Sequence, residues 1–174
     1  QTPSHLVRGL PVAGWYDGVS RLRVARVLQE NFPEIQREVL DVLREGSLER
    51  EGILDTENLT LSGAWTELNL FHQGRVHEQN CALVPVLAEL LRAELPEAIS
   101  QVHGAVKLSV LRPGTRTKAH AGPSNTRLRV HLGVAVPPGA SIRVGEDPPR
   151  TWEEGQVLAF DDSFEHEVVH PGSA

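Results

Sequence analysis

At 174 residues, with 40% hydrophobic and 23% charged residues, the chain is about one domain long and can bury a core. A net charge of −6 leaves no basic stripe to neutralise phosphates, so nucleic acid is not an expected partner. No apolar run nears the roughly 18 residues a membrane span needs, and one cysteine, Cys81, allows neither an internal disulfide nor a cysteine-based zinc site.

The chain opens on Gln1 and reads as a piece excised from a longer protein. Residues 1–18 carry Pro and Gly with little periodicity and are expected to form an extended arm. Leu22, Val24, Val27 and Leu28 predict a helix over 19–31. Pro33 opens a second, with Ile35, Val39, Val42 and Leu43 on one face and Gly46 at its end. Residues 66–71 (TELNLF) predict a strand. Pro85 suits the first turn of a further helix, whose buried stripe is Val84, Leu87, Leu90, Leu91 and Leu95. From about residue 104 the pattern changes to short strands between Gly/Pro turns: 106–110, 127–136, 142–144 and 156–160. The expected organisation is one domain, 1–174, mainly β with flanking helices. Residues 19–103 form a helical support plus strand, and 104–174 a sandwich, jelly roll or barrel.

Three features could carry chemistry. Period-two alternation over 127–136 puts Arg127, Arg129 and His131 on the face opposite Leu128, Val130 and Leu132. Two guanidiniums beside an imidazole form either an anion clamp or a solvated polar face. The run FDDSFEHEV (160–168) sets Asp161, Asp162, Glu165, His166 and Glu167 among two Phe, an acidic loop or the setting of a metal-ligating His. His120 stands in the polar stretch KAHAGPSN. Two His and one carboxylate form the usual facial triad for non-haem iron, with the carboxylate two residues after the first His. Here that position is Gly122, so spacing alone is a weak pointer to a metal.

The stretches RPGTRTKAHAGPSNTRLRVHLGV (112–134) and TWEEGQVLAFDDSFEHEV (151–168) closely resemble the aspartyl/asparaginyl β-hydroxylase family. Weaker likeness runs upstream through ENL (57–59), Trp65 and QGR (73–75). The resemblance implies a double-stranded β-helix (jelly roll, cupin-like) and an Fe(II)- and 2-oxoglutarate-dependent dioxygenase. Its reaction would hydroxylate the β-carbon of Asp or Asn in a protein substrate such as an EGF-like domain. It also accounts for Gly122, because the family binds iron through two His with Gly at the carboxylate position. By the same resemblance His120 and His166 are the iron ligands and catalytic centre, Ser109, Arg129 and His131 surround 2-oxoglutarate, and Arg127 and Glu67 grip the peptide. The implied location is the endoplasmic reticulum membrane, the domain in the lumen and the anchor elsewhere in the parent protein.

The chain departs from the family pattern in three ways. It stops at Ala174, before the strand whose Arg pairs with the distal carboxylate of 2-oxoglutarate. Thr56 and Glu67 replace an acidic and an amide residue at substrate positions, and Cys81 lacks a partner. These departures fit an alternative, a catalytically inactive member acting as a metal-containing binding module.

Overall fold

The computed structural model describes residues 3–10, 13–55 and 57–172, and of Glu49 the main chain only. Thr56 lies outside the described residues. Six α-helices are described: α1 (Arg23–Glu30), α2 (Phe32–Arg44), α3 (Ser47–Glu51), α4 (Glu78–Cys81), α5 (Pro85–Glu94) and α6 (Pro96–Ser100). A 3-10 turn at Val19–Arg21 precedes α1, so the helix predicted over 19–31 is in two parts. Pro33 and Pro85 occupy the first turns of α2 and α5, where a missing N–H costs nothing. Gly46, at φ 67°, takes the left-handed conformation between α2 and α3. The first turn of α5 is capped from afar: the Glu38 carboxylate accepts Val86 N–H at 2.8 Å and Leu87 N–H at 2.9 Å, satisfying donors that have no intrahelical partner.

The strands are β1 (Ile53–Leu54), β2 (Thr60–Ser62), β3 (Trp65–His72), β4 (Arg75–Val76), β5 (Ala105–Leu111), β6 (Arg116–Thr117), β7 (Arg129–Leu132), β8 (Ser141–Val144), β9 (Arg150–Thr151), β10 (Val157–Phe160) and β11 (His166–Val169). All pairings between them are antiparallel. They form three groups: β3 with β1, β4 and β5; β7 with β10; and a five-stranded sheet in the order β2-β6-β11-β8-β9. The fold is therefore mainly β with flanking helices, as periodicity predicts.

Two apolar clusters support it. The larger joins Val27, Ile35, Val39 and Val42 of the first helices to Leu68, Leu70 and Phe71 of β3 and to Leu87 and Leu91 of α5. The smaller gathers Trp15, Ile142, Val144 and Phe160. β7 stands between them: Leu132 packs on the larger cluster, and His131 turns to Phe160 of the smaller.

The strand predicted over 127–136 is shorter than expected, ending at Leu132. Gly133 lies against the 153–156 turn so closely that a Cβ there would meet Glu153 O at 2.4 Å. Its N–H bonds Gln156 O, and its carbonyl accepts Gly155 N–H. These contacts turn the chain off the ladder, although the apolar alternation continues in sequence.

Candidate functional site

His166 opens β11, and His120 lies just beyond β6. The two face each other across an antiparallel bridge: His120 N–H donates to His166 O at 3.1 Å, and His166 N–H to His120 O at 2.8 Å. Their rings sit 4.2 Å apart, centre to centre. Each ring is fixed by the carbonyl two residues before it, His120 Nδ1 by Lys118 O at 2.8 Å and His166 Nδ1 by Phe164 O at 2.9 Å. A carbonyl can only accept, so each Nδ1 carries a proton, and in the neutral tautomer this leaves the lone pair on Nε2. Burial pushes the His166 pKa down to about 4, against the opposing pull of its bond to Phe164, so this ring is neutral at pH 7. Two imidazoles whose Nδ1 protons are held by backbone carbonyls, so that Nε2 is the atom left for a ligand bond, match the donor chemistry of a divalent metal site. Among the described residues no third His, Cys, Asp or Glu completes a ligand set with them.

Beside this pair stands a buried carboxylate. Asp162 is fully buried and receives Arg127 Nη2 at 2.9 Å and Arg129 Nη2 at 2.8 Å. Burial alone would raise its pKa, but the Arg127 hydrogen bond and both nearby guanidiniums outweigh it and hold the carboxyl below its ordinary value. An unpaired carboxylate would not stay ionised in this position. Asp162 also explains Gly122. A Cβ on Gly122 would fall 2.5 Å from Asp162 Cγ and 2.6 and 2.7 Å from its oxygens. The space a side chain two residues after His120 would take is filled by a carboxylate from the opposite segment, neutralised by two Arg.

His131 forms the next wall. Phe160 meets it edge-on at 5.2 Å, Trp152 stacks at 6.0 Å, and Phe160 also lies 5.2 Å from His166. Burial and the Arg129 charge together drive the His131 pKa down to about 3, so it too is neutral at pH 7. The Lys107 charge on β5 also reaches it. Lys107 pairs with Glu67 and lies over the Trp65 ring, whose Nε1 donates to Ser109 Oγ at 2.8 Å. Glu67 and Ser109 are direct partners in the β3–β5 register.

A family profile described as Aspartyl/Asparaginyl beta-hydroxylase matches residues 29–174. The chain belongs to the aspartyl/asparaginyl β-hydroxylase family. It is 37% identical over 173 residues to the human protein named Aspartyl/asparaginyl beta-hydroxylase, covering 97% of this chain and 22% of that protein. It is 42% identical over 117 residues to human Aspartate beta-hydroxylase domain-containing protein 2, covering 67% and 31% respectively. Mouse Aspartate beta-hydroxylase domain-containing protein 1 is 40% identical over 107 residues, covering 62% and 29%. The chain thus spans between about a fifth and a third of the length of these relatives.

Within this β-hydroxylase family chain, the residues singled out from sequence fall into two groups. His120 and His166 meet, His131 is linked to them through the Phe160 ring, and Arg127 and Arg129 converge on Asp162. Ser109 and Glu67 lie on the β3–β5 wall, tied toward His131 by Lys107. Both proposed peptide-gripping residues have partners of their own: Arg127 bonds Asp162 and His103 O, and Glu67 bonds Lys107. Sequence reasoning placed Asp162 and Phe160 in a segment that could carry chemistry and Trp65 in the family likeness, but gave none of them these partners, and it did not single out Lys107. Lys107 was reachable, because period two puts it on the same face as Ser109. The role of Asp162 could have been found by asking which acid balances two Arg on a half-buried face.

Proposed function

We propose that this chain is an Fe(II)- and 2-oxoglutarate-dependent dioxygenase domain that hydroxylates the β-carbon of Asp or Asn in a protein substrate. EGF-like domains are the proposed substrate class. The observation that carries this reading is the His120–His166 pair, its two Nδ1 atoms fixed by backbone carbonyls and its two Nε2 atoms left as donors. Those nitrogens would hold Fe(II), with Gly122 supplying no third ligand and Asp162, bound to two Arg, taking the space its side chain would need. Bound iron and 2-oxoglutarate supply the oxidising chemistry. The chain's own residues bind, orient and shield.

Neutral His131 and the one-third-exposed Arg129 provide a hydrogen-bonding ring and a cation on one strand for the oxo acid. Ser109 and Lys107 supply a hydroxyl and a second cation from the β5 wall. Trp152 and Phe160 line the His131 side with aromatic surface that excludes water. Arg127 and Glu67 are the proposed contacts for the peptide, and either would have to exchange its present partner to serve.

The proposal extends to architecture. The antiparallel pairs β8/β9, β7/β10 and β6/β11 nest one inside another, as in a long hairpin rolled up, which supports a double-stranded β-helix. A single domain, 1–174, in the endoplasmic reticulum lumen with its anchor elsewhere in the parent protein, follows from the same reading. No helix among the described residues is long and apolar enough to cross a membrane.

One observation favours a second reading, a metal-containing binding module without turnover: Asp162 already occupies nitrogens of both Arg127 and Arg129. One experiment separates the two. Mn²⁺ is titrated into wild type and His166→Ala, and succinate formation from 2-oxoglutarate with Fe(II) is followed by mass spectrometry, with and without EGF-like peptide. An oxygenase loses metal binding in the variant and forms succinate as wild type. Metal binding without succinate above the His120→Ala/His166→Ala blank supports the module. Equal binding by wild type and His166→Ala refutes the site.

A further inference from the structure

Residues 3–10 and 13–16 precede the part of the chain that the family profile matches, and they touch both His-bearing segments. At one end, Ser4 N–H and His5 N–H both donate to Pro123 O at 3.0 Å. Val7 N–H donates to Asn125 Oδ1 at 2.8 Å, while Asn125 Nδ2 donates back to Val7 O at 3.0 Å. Pro123 and Asn125 lie three and five residues beyond His120, in the same loop. At the other end the arm runs along the edge of β10. Tyr16 N–H donates to Ala159 O and Asp161 N–H to Gly14 O, both at 2.9 Å, around a Trp15–Phe160 bridge.

The two ends are held by different physics. Residues 4–10 are all exposed, so only hydrogen bonds keep them on the His120 loop. Trp15 is 5% exposed, with its ring 5.8 Å from Phe160, and the Phe160 ring lies 5.2 Å from His166. Arg150 covers the outer face of Trp15 at 4.3 Å and is itself held by Asp17. Near the two rings, among the described residues, the backbone bonds between the His segments are the reciprocal pair at His120 and His166 and Gly122 N–H to Asp162 O; farther along, the β6–β11 pairing and the bonds of His170 with Thr115 and Gly114 join the same segments.

We propose that this arm is a strap that sets the relative position of the His120 and His166 segments. Trp15 is its anchor, acting through Phe160, and Asn125 is the clip that receives its other end, at residues 4–7. Both are positioning residues. The consequence for metal affinity rests on the His pair being the metal site. The strap itself does not, and the test keeps the two apart.

The full chain is compared with Trp15→Ala, Trp15→Phe and Asn125→Ala, first without metal by residue-resolved amide exchange. Trp15→Ala should speed exchange at His120, Gly122 and His166 about tenfold or more while leaving the β3–β5 ladder unchanged. Trp15→Phe, which keeps a ring against Phe160, should restore slow exchange. Asn125→Ala should speed exchange at His120 and Gly122 about threefold. Mn²⁺ affinity, read by electron paramagnetic resonance, should fall in the same order, about tenfold for Trp15→Ala and near wild type for Trp15→Phe. Unchanged exchange at the His segments, or exchange that rises equally in the β3–β5 ladder, overturns the strap. If Trp15→Ala does not fold, Asn125→Ala decides, because its clip lies in an exposed loop. Exchange that responds in a wild-type chain taking up no Mn²⁺ keeps the strap and refutes the metal site.

Discussion

Gly122→Ala is the sharpest perturbation the geometry offers, because it adds one methyl group where the structure has no room. The new Cβ would sit 2.5 Å from Asp162 Cγ, so about 1 Å of movement is needed to reach ordinary contact. Asp162 cannot move freely, since Arg127 holds it at 2.9 Å and Arg129 at 2.8 Å. Overpacking of this kind costs about 1–3 kcal/mol, and disturbing a charge-assisted bond about 1.5–3 kcal/mol. The smaller freedom of Ala in the unfolded chain returns about 0.4–1 kcal/mol. The expected net loss is about 3 kcal/mol, which at an m-value of about 2 kcal/mol/M lowers the urea midpoint by about 1.5 M. Gly172→Ala is the control: no atom lies within 4 Å of its added Cβ, and its effect should stay within about 0.5 kcal/mol. If the two variants unfold at the same urea concentration, the account of Gly122 as space taken by Asp162 is wrong.

Two further predictions address the charges around that carboxylate. Asp162→Asn leaves two partly exposed guanidiniums without their counter-charge and should cost about 2–3 kcal/mol at pH 7. Asp162 has a folded pKa below its unfolded value, so its contribution is fully present above the unfolded pKa and is lost as pH falls through the folded one. Urea melts at successively lower pH should therefore show the gap between wild type and variant closing below about pH 4, and a constant gap would refute the pairing. Arg129→Leu should raise the dissociation constant for 2-oxoglutarate about tenfold, the loss of one charge-assisted bond. Calorimetry on the Mn²⁺-loaded protein measures this, and an unchanged constant in a folded variant assigns Arg129 to Asp162 alone.

Elements that bury one face were legible in the sequence. The stripe Val84, Leu87, Leu90, Leu91 and Leu95 packs in the larger cluster as periodicity requires, and the alternation through Arg129 and His131 does turn those side chains to the site. Short elements were not legible: β6 and β9 have two residues each, too few to carry a period. β11 was hidden for another reason, since Glu165 and Glu167 flank His166 and read as an acidic loop. Gly133 misled in the opposite direction, because a backbone approach from residue 153 breaks a strand that the side-chain pattern continues. The partnership of Asp162 with two Arg is a matter of three dimensions. No local pattern announces that the acid balancing a strand's cations comes from the far side of the site.

The reciprocal backbone bonds between His120 and His166 also bear on how the molecule assembles. The helices at the start of the chain are built from contacts close in sequence, whereas the His120–His166 bridge spans the whole of β7 to β10. Closing so long a loop costs chain entropy before any pairing repays it, and pairings of this kind set the slow step of β-rich folds. By this reasoning the imidazole pair is expected to form late in folding. A change anywhere along β7 to β10 that delays sheet closure would delay the meeting of His120 and His166 without touching either ring, and a nascent chain that has finished its helices still lacks the pair.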